Sequence, residues 1–461
     1  MLSSAIQGRG SMRKLFGTDG VRGEANVYPM LPEVALQLGR AIGYLFRGAL
    51  GQHQKVIIGK DTRISGYIFE SALTAGLCSM GVDVYLVGPL PTPAIAFLTK
   101  DMRARAGIVI SASHNPYYDN GIKVFDHTGF KLPDELEERI EALLEDESFK
   151  KIRFTKEELG RAFRIKDAIG RYAIHLKSAV PPNIDFEGFK IAIDCANGAC
   201  YYIGPMVLEE LGAEVVKMGC QPNGININEN CGALYPELIQ KKVIEEKCHV
   251  GIALDGDGDR IAICDEKGNL YDGDDLLAIF ATYFLKKGLL NPKAIVGTVM
   301  TNKGLELYLS KLGIELIRTS VGDRYVVQEM KAKGIFLGGE TSGHIIFLDK
   351  STTGDGLLTA LRLLSILREE EKKLSEFQGL YEKFPQVIVN LRVREKRPVH
   401  EIEGLIQLID KIEKKLGDEG RVVVRPSGTE PKYRVMVEAK DSQMAKDLAE
   451  EIANYIQRKL E

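Results

Sequence analysis

Residues Val250 to Arg260 read VGIALDGDGDR, an apolar run followed at once by three carboxylates and an arginine. A short run of small and branched apolar residues is typical of a strand buried in a parallel sheet. The two glycines let the backbone turn tightly, so that Asp255, Asp257 and Asp259 can face one point. Because clustered carboxylates repel one another, this arrangement favours a hard divalent cation with oxygen ligands, such as Mg²⁺. The stretch therefore predicts an α/β protein with a metal site beyond a strand end.

Besides a magnesium site, this acidic loop (residues 255–260) could form a solvated acidic turn or an EF-hand calcium loop. An EF-hand requires a glutamate at its twelfth position. By straight count that position is Glu266. The intervening residues 261–265, IAICD, have the pattern of a strand rather than of a calcium loop, which disfavours the EF-hand. The solvated turn stays as the alternative.

The pattern around the acidic loop occurs three times along the chain. Each copy has the order strand, loop, helix, strand, strand, which contains a βαβ crossover. Any α/β protein alternates in this way, but here the third strand of every copy ends in a polar loop that contains glycine or proline. Because ligands of open α/β sheets bind beyond the carboxyl ends of strands, the three loops are expected to converge on one cleft. The third strands and their loops are GIVIS before SASHNP, VGIAL before DGDGDR, and GIFLG before GETSGH.

The C-terminal region has a different order and predicts a small α+β domain. Its expected elements are a strand at 387–393, a helix at 401–416, the segment RVVVRPSGTEP from Arg421, a strand at 432–439 and a helix at 442–460. Residues 376–385 are its expected linker. Residues 1–11 are expected to be an expression remnant or an alternative start before Met12. The expected domains are 12–165, 166–266, 267–380 and 384–461.

The first of the three loops, the serine loop (residues 111–116), reads SASHNP. It places Ser111, Ser113 and His114 directly after a buried strand, and the Asn-Pro pair favours a turn that fixes the loop. Ser113 is expected to be an exposed nucleophile beside His114. The alternative is an ordinary turn with capping serines. Lys123 follows ten residues later and is expected to reach the same pocket.

Two further segments offer groups that suit a sugar phosphate. The sugar loop (residues 338–344) reads GGETSGH, and its carboxylate, hydroxyls and imidazole suit hydrogen bonds to a polyol. The clamp segment (residues 425–431) reads RPSGTEP, where an arginine, two hydroxyls and loop N–H groups favour phosphate binding over a plain hairpin. Together with an activated serine and a metal site, these segments predict phosphoryl transfer on a sugar phosphate.

Composition limits the function further. The 461 residues carry 61 basic and 64 acidic side chains, and this balance disfavours a nucleic-acid-binding protein. With 44% hydrophobic and 27% charged residues, the chain has the composition of a soluble globular protein, and we expect no membrane partner. Its seven cysteines include no C-x-x-C pair, which favours a reducing, cytoplasmic location over a zinc site or a disulfide framework.

The motifs SASHNP, DGDGDR, GETSGH and RPSGTEP, in this order, resemble those of the α-D-phosphohexomutase superfamily across nearly the whole chain. FGTDGVRG, TSVGDRYV and TTGDGLLTAL resemble its glucosamine phosphate branch, although Thr341 stands where glutamine is more usual. The resemblance implies three related α/β domains with mixed sheets plus a C-terminal α+β domain, around a central cleft. It implies interconversion of glucosamine 6-phosphate and glucosamine 1-phosphate through a sugar 1,6-bisphosphate, which also serves as activator. The product would feed UDP-N-acetylglucosamine synthesis.

The resemblance also implies roles for individual residues. Ser113 would carry a phosphate and, with the three aspartates, bind Mg²⁺. Lys123, its pKa lowered among cations, and His114 would handle the hydroxyl proton. The remaining catalytic residues would be Arg22 and Arg260, and the substrate would contact Gly322, Asp323, Glu340, Ser342, His344, Arg425, Ser427, Gly428, Thr429 and Arg434.

Alternatives within and beyond this class stay open. The enzyme could prefer mannose or glucose phosphates, it could be a phosphatase if water reaches the phosphoserine, or it could be a non-catalytic sugar-phosphate sensor. The expected partner is a small hexosamine phosphate, and the chain is expected to be a monomer or a homodimer.

Overall fold

The computed structural model describes residues 15–17, 19–48, 54–394, 397–426 and 432–460. Residues 1–11, on which the expectation of an expression remnant falls, lie outside these ranges. The described strands form four sheets of six, five, four and three strands. Within the described ranges, no helix has both the length and the apolar character that a membrane crossing requires.

The first sheet is built from the N-terminal third of the chain. Its strand order is β1-β5-β4-β2-β3-β6, in which β1, β5 and β4 are antiparallel neighbours and the other pairs are parallel. Its strands are β1 (Val21–Glu24), β2 (Gln54–Lys60), β3 (Val82–Pro89), β4 (Ala106–Ile110), β5 (Asp119–Asp126) and β6 (Ala162–Arg164). The helices of this region are α1 (Pro32–Phe46), α2 (Gly66–Cys78), α3 (Thr92–Asp101), α4 (Asp134–Glu145) and α5 (Glu147–Lys151), followed by a 3₁₀ turn at Lys156–Glu158.

The second sheet has the order β11-β10-β9-β7-β8, with β7 parallel to β8 and β9. Its strands are β7 (Lys190–Asp194), β8 (Glu214–Met218), β9 (Val250–Leu254), β10 (Ile261–Asp265) and β11 (Leu270–Tyr271). Its helices are α6 (Ala168–Lys177), α7 (Ile203–Glu210) and α8 (Pro236–Glu246).

The third sheet has the order β13-β12-β14-β15. Its strands are β12 (Ala294–Thr298), β13 (Glu315–Thr319), β14 (Leu337–Gly339) and β15 (Ile345–Phe347), and its helices are α9 (Gly273–Lys286), α10 (Lys303–Lys311), α11 (Asp323–Lys333) and α12 (Gly356–Glu370). Helix α12 is buried all round from Gly356 to Leu367, as its apolar sequence GLLTALRLLSIL requires. It belongs to one large core that joins residues of all three α/β sheets, which fixes them against one another.

A common four-strand unit occurs in all three sheets, which confirms the repeat and the multidomain α/β class that the sequence predicts. The unit is β3-β2-β4-β5, β8-β7-β9-β10 and β13-β12-β14-β15. In each copy three parallel strands are followed by a fourth, antiparallel strand. The fourth strand turns the serine, acidic and sugar loops into hairpin connections at equivalent positions, a feature that the three-strand repeat in the sequence did not reveal.

The C-terminal domain has a core of its own, formed by described residues between Ile402 and Ile456. Its antiparallel sheet has the order β16-β18-β17. Its elements are β16 (Gln386–Arg392), α13 (Leu405–Leu416), β17 (Gly420–Pro426), β18 (Lys432–Ala439) and α14 (Ser442–Leu460). Four short 3₁₀ segments occur in the described chain, of which Leu374–Phe377, Val399–Glu401 and Gly417–Glu419 lie in or before this domain. The expected helix from 401 begins instead at Leu405, after Gly404 in a left-handed conformation.

Candidate active site

The three equivalent hairpin loops meet at one place. Ser113, in the serine loop, donates a hydrogen bond to Asp255 Oδ2 in the acidic loop over 2.7 Å. His344, in the sugar loop, lies with Nδ1 3.8 Å from Asp259 Oδ1 of the acidic loop. The acidic loop therefore lies between the other two, and each of the three sheets contributes one side of the site.

Ser113 is only 2% exposed, so the expectation of an exposed nucleophile is wrong. The acidic loop covers it so closely that a Cβ on Gly256 would lie 2.6 Å from the Ser113 carbonyl oxygen. Its φ is +53°, a strained value for a residue other than glycine, and the backbone N–H donates to Ser111 Oγ over 2.9 Å. The Ser111 contact fixes the backbone of Ser113, and the Ser113 hydroxyl itself donates to Asp255.

Arg63 holds the serine loop in this shape, a role that the sequence interpretation missed. Its side chain is fully buried, and its Nη2 donates to the carbonyl oxygens of Ser113 and Asn115, each over 2.9 Å. Its Nη1 donates to the carbonyls of Pro116 and Asp119, and its Nε donates to Asp61 Oδ2 over 2.8 Å. All five guanidinium N–H groups are thus used. The only signal in the sequence was the polar segment DTR directly after β2.

Asn228, from the second domain, binds the same two carbonyls as Arg63. Its Nδ2 donates to the carbonyl oxygen of Ser113 over 2.9 Å and to that of Asn115 over 3.0 Å. The backbone of the serine loop is therefore fixed from both domains, with the hydroxyl left for Asp255. No motif in the sequence marks Asn228 as part of the site.

The acidic loop brings its three carboxylates together, as the spacing predicts. Ligand oxygens of Asp255, Asp257 and Asp259 all lie within 4.8 Å of one another. Burial, together with the charges of Asp259 and Asp257, raises the pKa of Asp255 well above its usual value. Asp257 accepts hydrogen bonds through Oδ2 from Thr92 over 2.6 Å and from Lys123 over 2.9 Å.

Two oxygens of this triad are buried without a hydrogen-bond partner in the described part of the chain, Asp257 Oδ1 and Asp259 Oδ1. A buried carboxylate oxygen left unpaired costs about 1–3 kcal/mol or more. A hard divalent cation would satisfy both oxygens and offset the repulsion among the three charges. The donor set therefore fits Mg²⁺.

Lys123 lies among carboxylates rather than among cations. Its Nζ is 2.9 Å from Asp257, 3.4 Å from Asp19 and 3.8 Å from Asp259. Burial lowers the pKa of Lys123, but the surrounding carboxylates Asp19, Asp257 and Asp259 outweigh it and raise the pKa overall. The expected lowering of the Lys123 pKa is therefore wrong, and the side chain is an ammonium ion.

His114 differs from Lys123 in its charge state. Its Nδ1 lies 3.4 Å from Ser113 Oγ. Burial and the nearby Arg260 and Arg22 lower the pKa of His114 to about 4, so the imidazole is neutral at neutral pH. The Nε atoms of Arg22 and Arg260 are buried without a partner among the described residues. Both arginines thus retain hydrogen-bonding capacity toward an anion near the serine.

In the sugar loop, Glu340 is 9% exposed and accepts a hydrogen bond from the Gly322 N–H over 3.0 Å. Ser342 is exposed, whereas His344 is buried, with Nε2 3.6 Å from Asp323. Asp323 also pairs with Lys131 over 2.7 Å, and Lys131 pairs in turn with Asp19 beside Lys123. This ion-pair chain joins the sugar loop to the serine side of the cleft.

The clamp segment lies at the end of β17. Arg425 faces Arg434 across the β17–β18 pair, and burial together with Arg434 lowers the pKa of Arg425. Like charges directly opposite each other destabilise a strand pair, and an anion between them would remove that cost. Ser427, Gly428 and Thr429 lie outside the described residues.

Three copies of one α/β sheet that meet at a serine and an acidic triad, with a fourth domain that carries paired arginines, define the class of the phosphohexomutases. Models of the phosphoglucomutase/phosphomannomutase family match four consecutive parts of the chain. They are α/β/α domain I at residues 13–151, domain II at 171–268, domain III at 272–384 and the C-terminal domain at 363–455. The chain belongs to this family.

Relatives of known function place the chain within the family. It is 54% identical to a phosphoglucosamine mutase from Pelobacter propionicus, over 97% of this chain and 99% of that protein. It is 52% identical, with the same coverage, to a phosphoglucosamine mutase from Nitratidesulfovibrio vulgaris. The chain is therefore an enzyme of the phosphoglucosamine mutase group, an intramolecular phosphotransferase of the isomerase class, and the resemblance seen in the sequence is confirmed.

Solved structures support the fold. A phosphoglucomutase/phosphomannomutase family protein from Burkholderia thailandensis superposes with a TM-score of 0.78 at 24% identity, covering 96% of this chain and 97% of that one. An N-acetylphosphoglucosamine mutase from Aspergillus fumigatus, solved with GlcNAc-6P and magnesium, gives a TM-score of 0.67 at 18% identity, covering 97% and 96%.

Proposed function

We propose that the enzyme interconverts glucosamine 6-phosphate and glucosamine 1-phosphate through a phosphorylated Ser113 and a sugar 1,6-bisphosphate. The bisphosphate also serves as the activator that restores the phosphoserine when an intermediate escapes. The product supplies UDP-N-acetylglucosamine synthesis in the cytoplasm. The function rests on family membership, and the residue roles below are our proposal.

The observation that carries this mechanism is the hydrogen bond from Ser113 to Asp255 within the buried acidic triad. A serine that only caps a turn has no need of three clustered carboxylates, two of which have a buried oxygen without a partner among the described residues. The deep burial of Ser113 also favours a mutase over a phosphatase, because water reaches a phosphoserine less easily when only 2% of the residue is exposed.

Asp255, Asp257 and Asp259, with an oxygen of the phosphorylated Ser113, would hold Mg²⁺. The bound cation would supply electrostatic stabilisation of the charge that develops on the transferring phosphoryl group. A structural relative of the same fold was solved with magnesium. Thr92 and Lys123, through their hydrogen bonds to Asp257 Oδ2, fix the position of that carboxylate and leave Oδ1 for the ion.

In the first half-reaction the bond between phosphorus and Ser113 Oγ breaks as a bond forms from phosphorus to the free hydroxyl of the sugar. The hydroxyl proton passes to the neutral imidazole of His114, which lies 3.4 Å from Ser113 Oγ and gives a proton to that departing oxygen. Arg22 and Arg260 offset the negative charge of the moving group, and Lys123 does so as an ammonium ion. The sugar bisphosphate then turns, and Ser113 Oγ bonds to its other phosphorus as the bond from that phosphorus to the sugar oxygen breaks. The serine proton passes through His114 to the departing sugar oxygen, which becomes the product hydroxyl.

In each orientation of the bisphosphate, the same residues must bind the distal phosphate, which is the phosphate that is not transferred to or from Ser113. Arg425 and Arg434, with Ser427, Gly428 and Thr429, would hold that phosphate. Glu340, Ser342 and His344 would contact the ring hydroxyls or the 2-amino group, positioned by Gly322 and Asp323. The separate core of the C-terminal domain lets the domain move as a unit while the sugar turns.

We further propose that the four sheets mark four domains with borders at 12–165, 166–266, 267–380 and 384–461. The protein would work in the cytoplasm as a monomer or homodimer on small hexosamine phosphates.

A coupled assay on glucosamine, glucose and mannose phosphates, with free phosphate and intact protein mass monitored, tests the proposal. We expect the highest kcat/KM on the glucosamine phosphates, one phosphate on Ser113 and little free phosphate. Preference for glucose or mannose phosphates would identify a phosphoglucomutase or phosphomannomutase. Stoichiometric free phosphate would identify a phosphatase, and no turnover on any sugar would indicate a sensor.

A further inference from the structure

Thr341, in the GETSGH motif, is hydrogen-bonded to a buried carboxylate on helix α9. Its Oγ1 donates to Asp274 Oδ1 over 3.0 Å. Asp274 is fully buried in the first turn of α9 and accepts, through its other oxygen, the backbone N–H of Asn302 over 2.9 Å. One carboxylate thus joins the sugar loop to the start of α10.

Asn302 continues the connection to the linker of the C-terminal domain. Its Nδ2 donates to the Phe384 carbonyl over 2.9 Å, and its Oδ1 accepts the Phe384 N–H over 3.0 Å. Asn302 and Phe384 are both nearly inaccessible to solvent. Phe384 stands two residues before β16, where the C-terminal sheet begins. The side-chain amide of Asn302 therefore binds the linker backbone at Phe384 through both its N–H and its carbonyl group.

The C-terminal domain also contacts residues 299–301 of the third domain, directly before Asn302. Arg421 donates to the carbonyls of Val299 over 2.6 Å and Thr301 over 2.7 Å, next to Asn302. Arg421 also pairs with the fully buried Glu438, which accepts a hydrogen bond from Gln386 over 2.5 Å. The segment 299–302 thus bears both the Arg421 contacts and the linker contacts of the domain that carries the clamp arginines.

We propose that Asp274 and Asn302 are positioning residues that couple the sugar loop to the hinge of the C-terminal domain. When a sugar binds to Glu340, it fixes the position of the sugar loop. The Thr341–Asp274–Asn302 connection then fixes the linker at Phe384. Because the linker leads into the C-terminal domain, the clamp arginines are held at the distal phosphate. This inference rests on the proposed function. The coupling would keep the sugar bisphosphate bound to the enzyme while the bisphosphate turns.

The test uses two variants. Thr341→Val keeps the branched side-chain shape and replaces the hydroxyl with a methyl group, and Asn302→Asp places a carboxylate against the Phe384 carbonyl. We expect each to raise the bisphosphate released per turnover by about fivefold or more, the lower range of measured coupling between sites. The double variant should release no more than the worse single variant, because both break one connection. Thr341→Ser should restore wild-type retention.

A second readout does not depend on turnover. Hydrogen exchange at the Phe384 amide should slow when glucosamine 1-phosphate binds to the wild-type enzyme, and this protection should be absent in Thr341→Val. Asp265→Asn is the matched control, because Asp265 is another fully buried carboxylate and holds a turn through Lys267 and Asn269 at the far end of β10. It should leave bisphosphate retention unchanged.

Normal retention and normal protection at Phe384 in Thr341→Val, with turnover intact, would overturn the coupling but leave the proposed function standing. A rise in release in Asp265→Asn equal to that in Thr341→Val would also overturn it, because general destabilisation would then account for both. Absence of mutase turnover in the wild-type enzyme would instead refute the proposed function itself.

Discussion

Ser113 and Asp255 lie at equivalent hairpins of two different sheets, and the hydroxyl of one donates to the carboxylate of the other over 2.7 Å. The two side chains are 142 residues apart in the chain, so only the packing of the first two domains brings them together. The third equivalent hairpin reaches the same carboxylate loop through His344 and Asp259. Because one fold unit is repeated three times, the serine, acidic and sugar loops occupy equivalent positions and meet at one site, although their sequences differ.

Ser113→Ala should abolish mutase activity and leave the fold intact, because the variant lacks the oxygen that accepts the phosphoryl group. The lost hydrogen bond to Asp255 is expected to cost about 1 kcal/mol of stability. Intact-mass measurement should show one phosphate on the wild-type enzyme and none on the variant. Ser71→Ala, at an exposed position on α2 of the same domain, is the control and should still be phosphorylated. Near-normal turnover of Ser113→Ala would exclude the phosphoserine mechanism.

Asp257→Asn should weaken Mg²⁺ binding and remove most of the rate, because one of three carboxylates loses its charge. Loss of an outer-shell partner of a metal ligand already costs roughly 10–100-fold in affinity, and a direct ligand should cost at least that. Calorimetric titration should show the weaker binding, and the rise in Tm that Mg²⁺ gives the wild type should shrink. Asp265→Asn is again the buried control. Activity that survives excess chelator would show that the triad is not a metal site.

Arg63→Lys should reduce both stability and turnover, although it conserves the charge. Lysine has three donors on one nitrogen and cannot reproduce the five N–H groups that bind the serine loop and Asp61. With at least two buried acceptors left unsatisfied, the free energy of unfolding should fall by about 2–4 kcal/mol, measured by urea unfolding. Arg103→Lys, at an exposed position in the same domain, should change neither quantity. Equal stability of both variants would contradict the role assigned to Arg63.

Arg425→Ala should raise KM and increase the release of sugar bisphosphate, because the distal phosphate loses a bidentate partner. Without ligand the variant should be at least as stable as the wild type, since the repulsion between Arg425 and Arg434 is relieved. Phosphate should raise the Tm of the wild type more than that of the variant. An unchanged KM with no release of bisphosphate would place the clamp elsewhere.

The strands were predictable because buried parallel strands leave continuous apolar runs in the sequence. Strand β18 and helix α14 have the expected bounds, and the acidic triad followed from local spacing alone. The burial of Ser113 was not predictable, because the Gly256 backbone that covers it comes from another domain. Arg63 and Asn228 were missed for a different reason: they bind backbone carbonyl groups of the serine loop, and such partners leave no trace in the sequence.

The pKa of Lys123 shows a second limit of sequence reasoning. The roles that the family resemblance implied placed Lys123 among cations, but the fold surrounds it with Asp19, Asp257 and Asp259. A pKa depends on the charges within a few ångströms, and these come from separate segments of the chain. Ser113, Lys123 and the acidic triad could be named from motifs, whereas the charge states of Lys123 and His114 required the assembled structure.

Glu340 allows the preference for the amino sugar to be tested separately from the reaction. Its Oε1 accepts the Gly322 N–H over 3.0 Å, so Glu340→Gln can keep that bond through the amide oxygen while it removes the negative charge. If the carboxylate faces the positively charged 2-amino group, Glu340→Gln should lower kcat/KM on glucosamine 1-phosphate by roughly tenfold or more, the value of a hydrogen bond to a charged group. The loss on glucose 1-phosphate should be smaller. Glu340→Ala, which also releases Gly322, should depress turnover on every sugar phosphate. Wild-type kinetics of both variants on glucosamine 1-phosphate would remove the sugar loop from the active site.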